Sequence, residues 1–289
     1  MATLYIGFWL TNLIIPGDPA SVTLTTPAGS WEFRRHDQFD EFKVAVCERG
    51  QCAETYSCEG TASYSGTLSA ALEGLFEELI PLCLGASYLT GLSVSPTRSL
   101  PHSEIGFLQV GDHFPRQRAM ASAFPIIRSE SDFVAMLERF VASYPGAGTT
   151  EKARLLCHHW LDALAFWSLE DLVLSTGTVL EVIAATAETA SPAGVDVGTF
   201  NKNLAYAAQR FGLANLPADF RKMRNDLVHE GVLSGSKFPN KNREECGAAA
   251  AEALDWIDSY IFAALSLGQV PAPRFAPEGF RGANSFSLS

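Results

Sequence analysis

The chain has 289 residues, 47% of them hydrophobic and 18% charged, the proportions of an ordinary globular protein with material for one large domain or two of medium size. A formal net charge of −11, with a pI near 5.0, repels polyanions and excludes general nucleic-acid affinity, so any contact with RNA has to be local. The six cysteines, Cys47, Cys52, Cys58, Cys83, Cys157 and Cys246, are scattered without the two-residue spacing of a zinc knuckle, which reads as reduced, cytosolic thiols.

Thr3 to Ile15 is strongly apolar, but no Lys or Arg precedes it and it is too short to span a bilayer, so it is read as a buried strand. Nothing else approaches transmembrane length, and the expectation is a cytoplasmic protein with no membrane partner. Up to about Phe124, short runs of β-branched and aromatic residues between turn residues predict strands. They are Leu4 to Leu10, Ser21 to Thr26, Trp31 to Arg35, Phe42 to Glu48, Glu54 to Ser65 and Ile105 to Val110. Leu68, Ala71, Leu72, Leu75, Phe76 and Leu79 recur at helical spacing instead, before Pro81, which is expected to end or kink that helix. A further helix from Asp132 to Ser143, with Ser131 as N-cap, leads to Tyr144-Pro145-Gly146-Ala147-Gly148, read as the domain boundary.

From Thr149 the strand signal gives way to helical periodicity. Five amphipathic helices are predicted: Glu151 to Trp167; one opened by Ser168 with Asp171 three residues on; Phe200 to Gly212 capped by Thr199; one from Pro217 to Gly231; and one opened by Asn242 with Glu245 reciprocating, running through Leu265. The fold class is therefore α+β: a mainly antiparallel β domain with a packed helix over 1–145, of unknown role, an all-α bundle over 149–270, and a loose tail over 273–289.

Between Arg210 and Arg243 the charge balance reverses, with Arg210, Arg221, Lys222, Arg224, Lys237, Lys241 and Arg243 against Asp219, Asp226 and Glu230. Inside that stretch Arg224-Asn225-Asp226-Leu227-Val228-His229 sits at the end of a predicted helix terminated by Gly231. It combines a permanently charged phosphate ligand with the one side chain type that titrates near neutral pH. On a helix Phe220, Met223 and Leu227 share an apolar face, Arg224 borders it, and Asn225 and His229 lie together on the polar side. Arg224 and His229 are about 140° apart on an ideal helix, so one helix alone does not aim both at one phosphate comfortably; arginine's length helps, and a two-fold dimer of such helices would set Arg and His from both copies around one groove. His229 falls in the last turn, where a cation meets the negative end of the helix dipole.

That segment, with a polar residue directly after the Arg and four residues before the His, resembles the signature of the HEPN superfamily (higher eukaryotes and prokaryotes nucleotide-binding), and a late-helix motif followed by one long helix is similar to its bundle. The resemblance covers 149 to 268. It implies a metal-independent endoribonuclease that dimerises through the motif helices, a toxin or abortive-infection effector, and the pairing with an unrelated front domain looks like the ApeA-like branch. By position, His229 is implied as the acid/base group, Arg224 as the phosphate ligand and Asn225 as an orienting group, with Asp226, Arg221, Lys222 and Lys237 at the substrate. The implied reaction is attack of the ribose 2′-hydroxyl, leaving a 2′,3′-cyclic phosphate, with a regulatory partner or trigger bound by the front domain. The alternative is a catalytically silent bundle that binds nucleotide or a partner.

Arg154 and His159 repeat the spacing on the first bundle helix but rank lower, because Leu155 follows the Arg and both lie mid-helix; His158 and His159 either line the groove or serve only the surface, the surface reading being preferred. Glu170, Asp171 and Glu181 either face the site or are solvated, the solvated reading being preferred, and Trp160, Phe166 and Trp167 are read as core.

Overall fold

The structure, a computed structural model, describes residues 2–100, 114–115, 124–166, 168–271 and 273–274. The chain divides into two compact units, Met1–Gly146 and Ala147–Ser289, in an α+β arrangement.

Unit 1 is built on an antiparallel sheet of β1 (Ala2–Thr11), β2 (Ser21–Thr25), β3 (Ser30–Arg35), β4 (Glu54–Tyr64) and β5 (Ser95–Ser99), in the order β2-β3-β4-β1-β5. Alternation sets the inner face: Val22 and Leu24, Trp31 and Phe33, and Tyr56, Cys58 and Ala62 are all buried. β1 is a strand as expected but is buried only from Phe8 onward; Tyr5 is 71% exposed. Trp31 lies across Gly60, its register partner, where a Cβ would come within 2.9 Å of the indole. The predicted strand Ile105 to Val110 falls outside the described residues.

One expectation for this unit fails. Phe42 to Glu48 is not a strand but part of helix α1 (Phe39–Cys47). Phe42, Val44 and Val46 alternate like a strand, yet the buried positions Phe39, Ala45 and Val46, with Asp40 and Glu41 in the first turn, follow helical spacing and suit the helix dipole. Helix α2 (Leu68–Thr90) runs through Pro81 without ending. Its second half, from Leu82 to Thr90, is wholly buried, and that packing outweighs the lost hydrogen bond. Glu78 on α2 fastens the β2–β3 turn, accepting from Thr26 Oγ1 at 2.6 Å, Ala28 N at 2.7 Å and Trp31 Nε1 at 2.9 Å. A buried carboxylate is tolerable when donors surround it in this way.

Helix α3 (Glu130–Thr150) passes through Pro145 and Gly146 as a continuous element. Its cap is Ser129 rather than Ser131: Ser129 Oγ accepts from Asp132 N at 3.1 Å, and Asp132 accepts from Ser129 N at 3.1 Å.

Unit 2 holds α4 (Ala153–Leu164), α5 (Leu169–Ala190), α6 (Phe200–Phe211), α7 (Ala218–Glu230) and α8 (Arg243–Ala264). The caps are those the sequence predicts. Ser168 accepts from Asp171 N at 3.1 Å and Thr199 from Lys202 N at 3.4 Å, while Asn242 and Glu245 form a reciprocal box at 2.9 and 3.0 Å. α5 is long and apolar enough by composition to cross a membrane, but most of it is buried inside the unit, the position of a core helix. Glu151, buried at the α3–α4 junction, pairs with Arg210 of α6 at 2.6 Å and accepts from Tyr260 of α8 at 2.8 Å. The tail was expected to be loose from residue 273. Arg274 is instead buried, donating to Asp258 at 2.9 Å and stacking over Trp160 at 5.4 Å.

Near this buried ion pair, desolvation and the neighbouring Asp258 push the Asp255 carboxyl up to about 7, against the opposing pull of Arg274. One of its oxygens is buried with no hydrogen-bond partner among the described residues. A folded-state value raised above the unfolded one, near 3.9, gives a contribution to stability that is whole below about pH 4 and lost as pH rises through about 7. Asp255→Asn is therefore expected to melt higher than the parent at pH 8 and close to it at pH 4, as read by thermal denaturation across that range.

Candidate active site

Pro217 presets the backbone for the start of α7, and Gly231, at φ 74°, ends it in the left-handed conformation that glycine adopts without penalty. Phe220 and Met223 face the core. Asp226, three residues further along the same face, is 1% exposed and receives the backbone N–H groups of Gly235 at 2.9 Å, Lys237 at 3.0 Å and Phe238 at 2.7 Å. Desolvation raises this carboxylate's pKa, but the three backbone donors outweigh it and hold the group below its ordinary range. Ser234 closes the same loop, donating to Phe238 O and accepting from Lys241 N. Asp226, expected at the substrate, is thus committed to the α7–α8 connection: its oxygens face the loop and not solvent. Leu227, expected on the apolar face, is half-exposed because the core contact ends a turn earlier.

Arg224 is held with specificity. Its guanidinium meets Glu181 of α5 at 3.0 Å, and its stem lies on Gly177, where a Cβ would come within 2.7 Å of Nε. The ring of Phe200 on α6 stands 5.8 Å from the guanidinium carbon. A mid-helix glycine costs about 1 kcal/mol relative to alanine, and here it opens the channel for the arginine. Glu181, read from the sequence as solvated, belongs to this cluster. So does Phe200. A glycine inside the apolar periodicity of α5, followed four residues later by a carboxylate, was the signal available for both.

Asn225 is half-exposed and His229 exposed, four residues apart on the outward side. Neither makes a hydrogen bond among the described residues. No contact within the chain joins His229 to Arg224: one points outward from the last turn while the other is drawn against α5. Beside them Val228 is 49% exposed and Leu174 46% exposed. Glu170, Leu174, Gly177 and Glu181 form one stripe of α5 by their spacing. Glu170 approaches Arg243 at the start of α8 at 3.7 Å, and Glu181 holds Arg224. That stripe meets α7 at Gly177 and Glu181; Leu174 stands on it about one turn before Gly177, and Val228 stands one turn past Arg224 on α7.

The local basic balance read from the sequence is largely compensated in space. Arg210 pairs with Glu151, Lys222 with Asp219, Arg224 with Glu181, Lys241 with Glu245 and Arg243 with Glu170. Arg221 has no carboxylate partner among the described residues, and the Lys237 side chain is exposed. His159 faces Asp162 at 3.8 Å, and His158 is half-buried. Trp160 is core; Trp167 lies outside the described residues. All six cysteines are free, and among the described residues no three His, Cys, Asp or Glu side chains converge in a metal-ligating group. No family model, curated protein or solved structure matches the chain.

Three outcomes are expected. Asp226→Asn turns an amide N–H₂ toward backbone donors, so hydrogen exchange in 231–241 should rise sharply while α4 and α5 stay protected. In the parent the same loop should loosen only in acid, as pH falls through the depressed value of Asp226, since the carboxylate's contribution is present above its unfolded value and lost below the folded one. Gly177→Ala should displace Arg224 and leave the melting temperature within a few degrees, with the side-chain shift visible by crystallography or arginine-selective NMR.

Proposed function

We propose that unit 2 is a metal-independent endoribonuclease of HEPN type, acting as a toxin or abortive-infection effector in the cytoplasm, with unit 1 sensing a trigger or docking a regulatory partner. The observation that carries the reading is the division of labour on α7. Arg224 is oriented by three residues from two other helices, whereas Asn225 and His229 stand open beside the apolar pair Leu174 and Val228. A lone chain leaves that face half-built. A second copy related by a two-fold axis buries the apolar pair and sets both imidazoles over one cleft.

In that cleft Arg224 binds the scissile phosphate and offsets the negative charge that grows on it. One His229 accepts the proton of the ribose 2′-hydroxyl as the oxygen attacks phosphorus. The partner copy's imidazole, protonated, delivers a proton to the departing 5′-oxygen. The bond from phosphorus to the 5′-oxygen breaks as that to the 2′-oxygen forms, leaving a 2′,3′-cyclic phosphate and a 5′-hydroxyl. Asn225 orients the imidazole four residues away. Glu181 is a positioning residue that keeps the guanidinium extended.

The second reading, a silent bundle that binds nucleotide or a partner, is favoured by the ion pair itself, since Arg224 enters with its charge already partnered. An exposed pair is worth only about 0–1 kcal/mol, so exchange of Glu181 for phosphate is affordable for either reading. Purified protein incubated with total RNA in EDTA separates the two. Cleavage with cyclic-phosphate ends that falls at least about 100-fold in both Arg224→Ala and His229→Ala supports the nuclease; intact RNA with retained nucleotide or partner supports the silent module. Light scattering at micromolar concentration is expected to give a dimer, and Val228→Glu, which sets like charges across the axis, a folded monomer that no longer cuts.

A further inference from the structure

Beside Arg224, between the first turns of α6 and the start of α7, lies an open groove of about 210 Å³. Leu204, Leu216 and Pro217 give it an apolar floor, Phe200 a wall, and Asn201 and Asn215 two amides. Arg221 lines it as well. The residue is half-buried and, among the described residues, its guanidinium has neither hydrogen bond nor carboxylate, unlike Arg210, Lys222, Arg224, Lys241 and Arg243. Both asparagines are exposed and make no hydrogen bond among the described residues.

The geometry points to a subsite for one nucleotide of a single RNA strand, next to the phosphate held by Arg224; it rests on the nuclease reading of that site. Three features select this occupant. The volume, about 210 Å³, leaves room for one planar ring system. An aromatic wall stacks on any base, and free amides read base edges through paired donors and acceptors. An unpartnered guanidinium supplies the phosphate ligand, and because Arg221 and Arg224 are three apart on α7, their Cβ atoms are within about 6 Å, placed for neighbouring phosphates of one strand. Phe200 belongs to both places: its ring faces Arg224 and lines the groove. An acidic peptide would use Arg221 but would find one free cation lining the groove, in a strongly acidic protein, and no role for the amides.

The test uses full-length protein and fluorescein-labelled octamers of 2′-O-methyl A, U and C, whose blocked 2′-oxygens prevent cleavage, read by anisotropy over a salt series. Arg221→Ala is expected to weaken all three alike and reduce the slope of log affinity against log salt by about 0.7. Phe200→Ala is expected to cost about 5- to 150-fold. Phe200→Leu, which keeps the apolar fill if the alanine variant unfolds, should show most of that loss. Asn215→Ala should narrow the differences among the three sequences. An abasic octamer that binds as tightly as the intact ones, or variants that bind like the parent, overturns the base subsite. Competition by a mononucleotide as strong as by an octamer overturns the assignment to a strand. An acidic peptide competing as strongly does the same. Failure of the cleavage assay with groove binding intact removes the nuclease reading alone; normal cleavage by Phe200→Leu and Arg221→Ala with unchanged binding removes the subsite alone.

Discussion

The carboxylate of Asp226 decides where the polar end of α7 lies. Three backbone N–H groups from the following loop converge on it, so the helix end, the turn at Gly231 and the approach to α8 are one unit rather than a frayed terminus followed by a free linker. Buried anions are costly unless surrounded by donors, and here the donors are main-chain groups that need partners themselves. Each side satisfies the other. The outward placement of His229, one turn beyond Asp226, follows from it: with the loop fixed beneath, the imidazole has solvent or a second molecule to face.

Arg224 is settled by a different constraint. Its stem needs the space that Gly177 leaves, and Glu181 takes the guanidinium at the far side. A lysine could keep the ion pair but not the planar contact with Phe200 or a two-pronged hold on phosphate. The two motif residues therefore obey separate local rules, one from α5 and α6, the other from the α7–α8 loop. No contact joins the two within one chain among the described residues, and Val228, next to His229, is an exposed apolar side chain.

Much of this was legible in the sequence because it is local. Caps at Ser168, Thr199 and Asn242, the stop at Gly231 and the inward turn of Phe220 and Met223 depend on residues a few positions apart. What was not legible depends on distant partners. Pro81 passes through α2 because the surrounding core holds the helix together, and the alternating apolar residues of α1 conceal a helical set. Asp226 looked like a substrate ligand because nothing in its neighbourhood foretells three donors arriving from nine to twelve residues downstream. Glu181 looked solvated because its partner stands 43 residues away.

The compensation of the basic stretch limits how the proposed RNA recognition could work. Seven cations fall between Arg210 and Arg243, and five of them meet a carboxylate of their own chain. A protein of net charge −11 gains little from long-range attraction to a polyanion, and pairing removes most of the short-range gain as well. On the nuclease reading proposed above, affinity would have to come from contacts that charge does not supply: the aromatic face of Phe200, the free amides of Asn201 and Asn215, and a second copy of the chain. A nuclease built in that way would bind stray RNA weakly and cut only where a strand fits the groove and the cleft together.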